Sequence, residues 1–231
     1  MSKLFFIRVT LGCMVVFAFL QSCKKDKDTT PPPAPITNQS FTQSFESLTD
    51  AQTQGWVFTN RSDFKGSGWR VRSNTIFYGD APFDGTKLLY SNYLANTSPS
   101  GDGNISDWAI SPARIFQNGD KISFYALSNG ANDGYPDRIQ LRLNLFNTSA
   151  FIDTFSTDVG HFTIPLIDIN PNYSADPAKF PTVWTKYTAT ITGLNKADSG
   201  RFAIRYYMEV QGGANGDEVA IDKVEYKSVS Q

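Results

Sequence analysis

The chain has 231 residues, enough for one large domain or two small ones. Its 21 Lys and Arg stand against 22 Asp and Glu, a formal charge of −1, so it carries no general basic field for nucleic acid. Aromatic content of 14% with 19% charged residues excludes a disordered chain, and two cysteines and one histidine exclude a disulfide framework and a His-rich metal site.

The N-terminus reads as a targeting segment. Lys3 and Arg8 give a positive start, and residues 9–20 (VTLGCMVVFAFL) form a mostly apolar run. A helix across a bilayer needs about twenty residues, so this run fits the apolar region of a secretory signal instead. The sequence Leu20-Gln21-Ser22-Cys23 resembles a bacterial lipobox. That resemblance makes residues 1–22 a leader and Cys23 the lipidated first residue of the mature chain. Cys13 leaves with the leader, so the folded part has no cysteine and its core must stabilise it alone. Residues 23–39 carry charges and then prolines (KKDKDTTPPPAP), a solvated tether with polyproline II character. Charges after a lipobox resemble surface-exported lipoproteins of the Bacteroidetes type. The implied location is the bacterial outer membrane, lipid-anchored, at the cell surface.

Residues 40–231 are expected to be the folded domain. Their apolar period is two. KISFYALS at 121–128, RIQLRLNLFN at 138–147, WTKYTATIT at 184–192 and RFAIRYYMEV at 201–210 each alternate. Ile139, Leu141, Leu143 and Leu145 share one face, as do Phe202, Ile204, Tyr206, Met208 and Val210. Such alternation marks half-buried strands. Asn, Gly, Asp and Pro separate them, and no long stretch of helical period occurs. The predicted class is all-β, an antiparallel sandwich. Residues 153–182 carry Pro165, Pro171, Pro177 and Pro181 with little alternation and read as a long irregular segment.

Several blocks carry a family likeness: Phe45-Glu46, Gly55-Trp56, Trp69-Arg70-Val71, Asp107-Trp108-Ala109-Ile110-Ser111-Pro112, and late in the chain Val219-Ala220-Ile221-Asp222-Lys223-Val224. In this order they resemble the cleaved-adhesin and choice-of-anchor J domains of Bacteroidetes surface proteins. The resemblance implies a MAM-like jelly-roll β-sandwich over essentially the whole mature chain. It also implies a structural calcium, Ca2+, held by acids of the first and last strands. Carried onto this sequence, those acids are Glu46 and Asp222, with Asp107 as a third. Alternation over residues 220–226 places Asp222 inward with Ala220, Val224 and Tyr226, where an ionised carboxylate needs a partner or a cation. A salt bridge or a backbone turn cap would satisfy it equally.

Other candidates are plainer. The Asp/Asn/Gly loops at 129–137 and 212–218 have oxygens for a cation, but their composition is that of hairpin turns. Trp56, Trp69, Trp108 and Trp184 lie in or beside apolar strands and are expected in the core. Tyr78, Tyr90, Tyr93, Tyr135 and Tyr173 lie near turns, where aromatic faces could stack on sugar rings; the sequence does not choose among them. His161 has no G-x-S-x-G elbow or cysteine to work with and reads as a loop residue. No catalytic residue is assigned. The expected role is non-catalytic binding or adhesion, to an extracellular glycan or protein, by a domain tethered to a membrane through its N-terminal lipid and without a nucleic-acid partner. A cell-envelope glycoside hydrolase using paired carboxylates and a structural module of an envelope assembly are the alternatives.

Overall fold

The computed structural model describes residues 37–73, 81–129, 133–209 and 215–229. The expected leader, Cys23, nearly all of the tether, Tyr78 and Val210 lie outside the described residues. The described residues form two antiparallel sheets packed as a jelly-roll β-sandwich. The first sheet runs β10 (Thr185–Thr190), β7 (Lys121–Ser128), β12 (Glu218–Lys227), β4 (Lys87–Asn92), β3 (Arg70–Ser73), and β1 (Phe41–Gln43) also pairs with β12. The second runs β2 (Val57–Asn60), β5 (Ile105–Ile110), β11 (Asp198–Met208), β8 (Ile139–Asn144), β9 (Ile164–Ile169), and β6 (Arg114–Phe116) also pairs with β11. One short helix, α1 (Leu48–Thr53), follows β1. Ser47 caps it, its Oγ accepting the Asp50 N–H at 3.2 Å.

The period of two does what it must. Phe202, Ile204, Tyr206 and Met208 of β11 enter the central core together with Ile139, Leu141 and Leu143 of β8. Phe124, Ala126, Val219 and Ile221 meet them from the first sheet. Each fully buried large apolar side chain contributes roughly 1.5–3 kcal/mol. The outer faces carry smaller clusters. Leu88, Tyr90, Leu127 and Ala220 pack with Trp184 outside the first sheet. Trp108, Ile110, Ala203, Ile152 and Phe162 pack outside the second. Trp56, Trp69 and Trp108 are thus buried, as expected, while Trp184 is half-buried.

Two readings from sequence are corrected. The register of β12 against β7 slips between Asp222 and Glu225, and Lys223 adopts a left-handed φ of 46°. This bulge inserts one residue and flips the alternation beyond it. Val219, Ile221, Val224 and Tyr226 therefore all face the core, and Asp222 lies on the other face with Ala220. It is buried there by the segment before β4, whose Asp84 N–H it accepts at 2.9 Å.

The second correction concerns residues 153–182, which are not irregular throughout. Their Ile164–Ile169 stretch is the edge strand β9, with a register shift at Leu141/Arg142 of its partner that accommodates Pro165. Proline is tolerated at an edge because no further strand needs its missing N–H. Ile152, Phe162 and Phe180 of the surrounding chain are buried, so packing fixes what alternation does not reveal.

The bulge conformation makes position 223 selective. A β-branched residue is a poor fit at positive φ, whereas glycine is free there. Lys223→Val is expected to lose about 1–2 kcal/mol in urea unfolding, and Lys223→Gly to match or exceed the parent. Equal losses in both would place the role of Lys223 in its side chain instead.

Candidate functional site

The three acids singled out by sequence do not form one cluster. Glu46, in the bend between β1 and α1, and Asp222 of β12 converge on the same short segment. Glu46 Oε1 accepts the N–H groups of Thr86 and Lys87 at 2.9 and 3.2 Å, and Oε2 accepts the Thr86 hydroxyl at 2.6 Å. Burial acts to raise the Glu46 pKa, but these hydrogen bonds outweigh it and hold the carboxyl below its ordinary value. Asp222 accepts Asp84 N–H through Oδ2 and Lys223 N–H at 2.6 Å through Oδ1. Its burial pushes the pKa up to about 7 against those bonds. Asp84 in turn accepts the Ser44 hydroxyl at 2.5 Å and stands 3.7 Å from Lys223 Nζ. The result is a clasp that ties the ends of β1, β4 and the β12 bulge together. Gly85 belongs to it: a Cβ there would meet Glu46 Oε1 at 2.0 Å.

Asp107 lies elsewhere. It sits on the core side of β5 and accepts the Ser91 hydroxyl of β4 at 2.7 Å, linking the two sheets. Its Oδ1 is buried without a hydrogen-bond partner. Burial drives its pKa up to about 8, despite the bond from Ser91. Gly68 is the close neighbour, since a Cβ there would lie 3.1 Å from Oδ1. Among the described residues no group of three or more His, Cys, Asp or Glu side chains is disposed to hold a metal ion. His161 stacks on exposed Phe146, with ring centroids 4.4 Å apart, and this is the company of a surface loop histidine.

A concavity opens at one end of the sandwich. It is a cleft of about 590 Å³ whose walls include Tyr93, Leu94, Ile105, Tyr135, Asn215 and Asp217. A 3-10 turn, Tyr93–Ala95, presents Tyr93. Asn92 caps that turn, its side-chain oxygen accepting the Leu94 N–H at 3.2 Å. Tyr93 N–H donates to the Asp217 carbonyl at 2.9 Å, and Gly216 N–H donates to the Pro136 carbonyl at 3.1 Å. Three separate segments are thereby stitched at backbone level. Tyr93 is 54% exposed and Tyr135 48% exposed, so both rings are available to a ligand. Tyr90 and Tyr173 are not: Tyr90 is buried under Arg72, and Tyr173 hydrogen-bonds Arg138 and the Glu209 N–H.

The floor beneath this cleft is acidic and organised by Asp137. That carboxylate is buried and accepts the Tyr206 hydroxyl at 2.7 Å, the Asp217 N–H at 2.9 Å and the Ser128 hydroxyl. Burial raises its pKa against these bonds. Asp133 accepts the Asn129 amide at 2.8 Å. Asp217 is pushed up to about 7, first by burial and then by the charges of Asp137, Asp133 and Glu218. The composition of both Asp/Asn/Gly loops is that of hairpin turns. No local pattern signals that the two loops meet, since the Asp137–Asp217 bond spans 80 residues.

No protein-family model matches this sequence, and no curated protein sequence matches it. Solved structures do. The K1 cleaved adhesin domain of Lys-gingipain from Porphyromonas gingivalis is 19% identical at a TM-score of 0.54, covering 82% of this chain and 98% of that domain. The K2 cleaved adhesin domain of Lys-gingipain is 20% identical at a TM-score of 0.52, covering 83% of this chain and 99% of that domain. The chain therefore has the fold of the cleaved adhesin domains, as its sequence blocks implied.

Two measurements follow from the buried acids. Asp137→Ala removes the acceptor of the buried Tyr206 hydroxyl and is expected to cost about 3 kcal/mol in urea unfolding, whereas Asp102→Ala on the exposed surface should cost under about 0.5 kcal/mol. For Asp107, the folded pKa near 8 exceeds the unfolded one near 4, so the folded state holds the extra proton between them. Its contribution to stability falls as pH rises through this window, by about 1.4 kcal/mol per pH unit, and is constant above it. The stability of Asp107→Asn relative to the parent is therefore expected to improve from pH 5 to 8 and then level off. A difference independent of pH would contradict the buried, protonated state.

Proposed function

We propose that this chain is a lipid-anchored cell-envelope protein whose sandwich domain binds an extracellular glycan without transforming it. The observation that carries the reading is the end cleft. Two half-exposed tyrosines stand on backbone-stitched segments, and polar side chains lie between them. Binding sites of this kind combine apolar faces with a few placed polar groups, and the cleft volume lies within their ordinary range. The lipobox at Cys23 supports anchorage by lipid, with the tether carrying the domain clear of the membrane at the cell surface. No helix among the described residues is long and apolar enough to cross a membrane.

Calcium enters the proposal at the Glu46–Asp222 clasp. A carboxylate offers about four lone-pair sites, and each of these two has lone pairs left beyond the hydrogen bonds described. Calcium takes six to eight oxygens, so backbone carbonyls and water would have to complete the shell. An ion there would add stability by tying the first strand, the last strand and residues 84–87. It would take no part in chemistry.

A panel of polysaccharides and oligosaccharides tests the binding claim on the full chain, with product analysis of every hit. The expected result is binding with unchanged glycan. Released reducing ends would replace this reading with a hydrolase, and absence of binding across the panel at millimolar sensitivity would overturn it. The ion has its own readout. Saturating calcium is expected to raise the melting temperature by about 5–10 °C over chelator, as about 2.7 kcal/mol of linkage at a hundredfold excess over Kd implies. Identical melting temperatures would remove calcium and leave the clasp as a purely hydrogen-bonded device.

A further inference from the structure

The chain enters the domain at the end of the sandwich opposite the cleft. Gln39 is fixed there: its side-chain oxygen accepts the Ile115 N–H at 3.0 Å, and its carbonyl accepts Arg114 Nε–H at 3.1 Å. Ser40 Oγ accepts the Ser228 N–H at 3.0 Å, and Val229 follows, its N–H donating to Asp120. Arg114 of β6 pairs with Gly200 of β11, and the next β11 residue, Arg201, pairs with Asn144 at the end of β8. Asn144 Oδ1 shapes the turn that follows, accepting the Phe146 and Asn147 N–H groups at 2.9 and 3.2 Å. The entry segment, Ile115, Val229 and Phe146 thus share one end. The cleft lies at the other, since β12 begins at Glu218, beside the cleft wall Asp217, and ends at Lys227. A strand of that length spans about 30 Å.

This entry end combines exposed apolar side chains with unpaired cations. Phe146 is 77% exposed, with the His161 ring stacked on it. Ile115, Val229 and Ile164, the register partner of Leu143, are exposed as well. Lys121 and Lys227 are register partners across β7 and β12, and Lys196 precedes β11. All three lysines are exposed and none forms a salt bridge among the described residues; Asp198 is exposed near them. Apolar side chains among lysines suit an anionic bilayer surface, where the former enter the boundary of headgroups and acyl chains and the latter meet lipid phosphates.

The chain outside the described domain supplies such a surface. Residues 24–36 join Cys23 to Thr37, a stretch that reaches about 45 Å when fully extended. Lys24, Lys25 and Lys27 stand beside the cysteine. That reach lets the domain stand clear of the bilayer in any orientation. It also returns the entry end to the lipid at a local concentration on the order of millimolar, so a small patch suffices to hold it there.

We infer that the end of the domain bearing Ile115, Phe146 and Val229 docks on the anionic lipid surface in which Cys23 is anchored, and so turns the cleft away from the membrane. The inference rests on the lipid anchorage proposed above and adds an orientation to it.

The test uses the chain purified with its lipid and reconstituted in vesicles of phosphatidylethanolamine and phosphatidylglycerol. Mass spectrometry of the N-terminal peptide reads the anchorage separately: a Cys23 without lipid would sink that reading and this one with it. With Cys13 removed and Cys23 alkylated, a cysteine introduced as Thr148→Cys or Ser100→Cys is the single free thiol and takes a nitroxide label. Thr148 is exposed in the turn after Phe146, and Ser100 is exposed beside the cleft. The label at 148 is expected to be about threefold or more less accessible to an aqueous nickel chelate than the label at 100. Phe146→Ser, and separately Lys121→Glu with Lys227→Glu, are expected to abolish that difference at parental melting temperature. Equal accessibility at the two positions with the lipid confirmed would overturn docking and leave the anchorage standing. Shielding at 148 that survives both sets of substitutions would overturn it too. Shielding that vanishes on dilution to one chain per vesicle would assign the face to a second copy of the chain and overturn the lipid contact.

Discussion

A buried carboxylate must be supplied with donors, and in this domain that requirement shapes one whole end of the molecule. Asp137 lies out of water between the two sheets. Ser128 at the end of β7 and Tyr206 of β11 both donate to it, one from each sheet, and the Asp217 N–H joins them. An uncompensated carboxylate at this depth would cost several kcal/mol, so the segments that satisfy it are not free to move apart. Asp217 is also a wall of the cleft, and its carbonyl anchors Tyr93. The constraint that closes the sandwich therefore also positions the walls of the cleft.

The same device recurs elsewhere in the domain. The described residues contain no cysteine. At the far end Asp120 gathers the Tyr226 hydroxyl with the Gln117 and Val229 N–H groups. Asp107 and Ser91 link β5 to β4 across the core. Glu46 and Asp222 clasp the segment before β4. These bonds are directional, so they fix register as well as adding stability. They also make part of that stability depend on pH, because Asp107, Asp217 and Asp222 are each raised by burial into or near the neutral range.

How much of this could be read from the sequence follows from what periodicity encodes. Lys121–Ser128 was legible to the residue, because its alternation has no interruption. Asp222 was legible as a buried acid but not as an outer-face one, since a single inserted residue at Lys223 reverses every face beyond it. β9 was hidden by Pro165, whose place at a sheet edge depends on pairing that a local pattern does not carry. The cleft was visible only as fragments. Tyr93 and Tyr135 stood among five tyrosines of similar context, and only tertiary placement separates the two that share a wall from Tyr90 and Tyr173, which are held by arginines.

The central claim is that this end of the sandwich is where a glycan sits. Amide chemical-shift mapping of the isotopically labelled chain with a saturating oligosaccharide tests it directly. The account predicts perturbations concentrated on residues 93–101, Tyr135 and residues 215–217. Perturbations centred instead on Arg70, Arg72 and the outer face of the first sheet, with those residues silent, would contradict it.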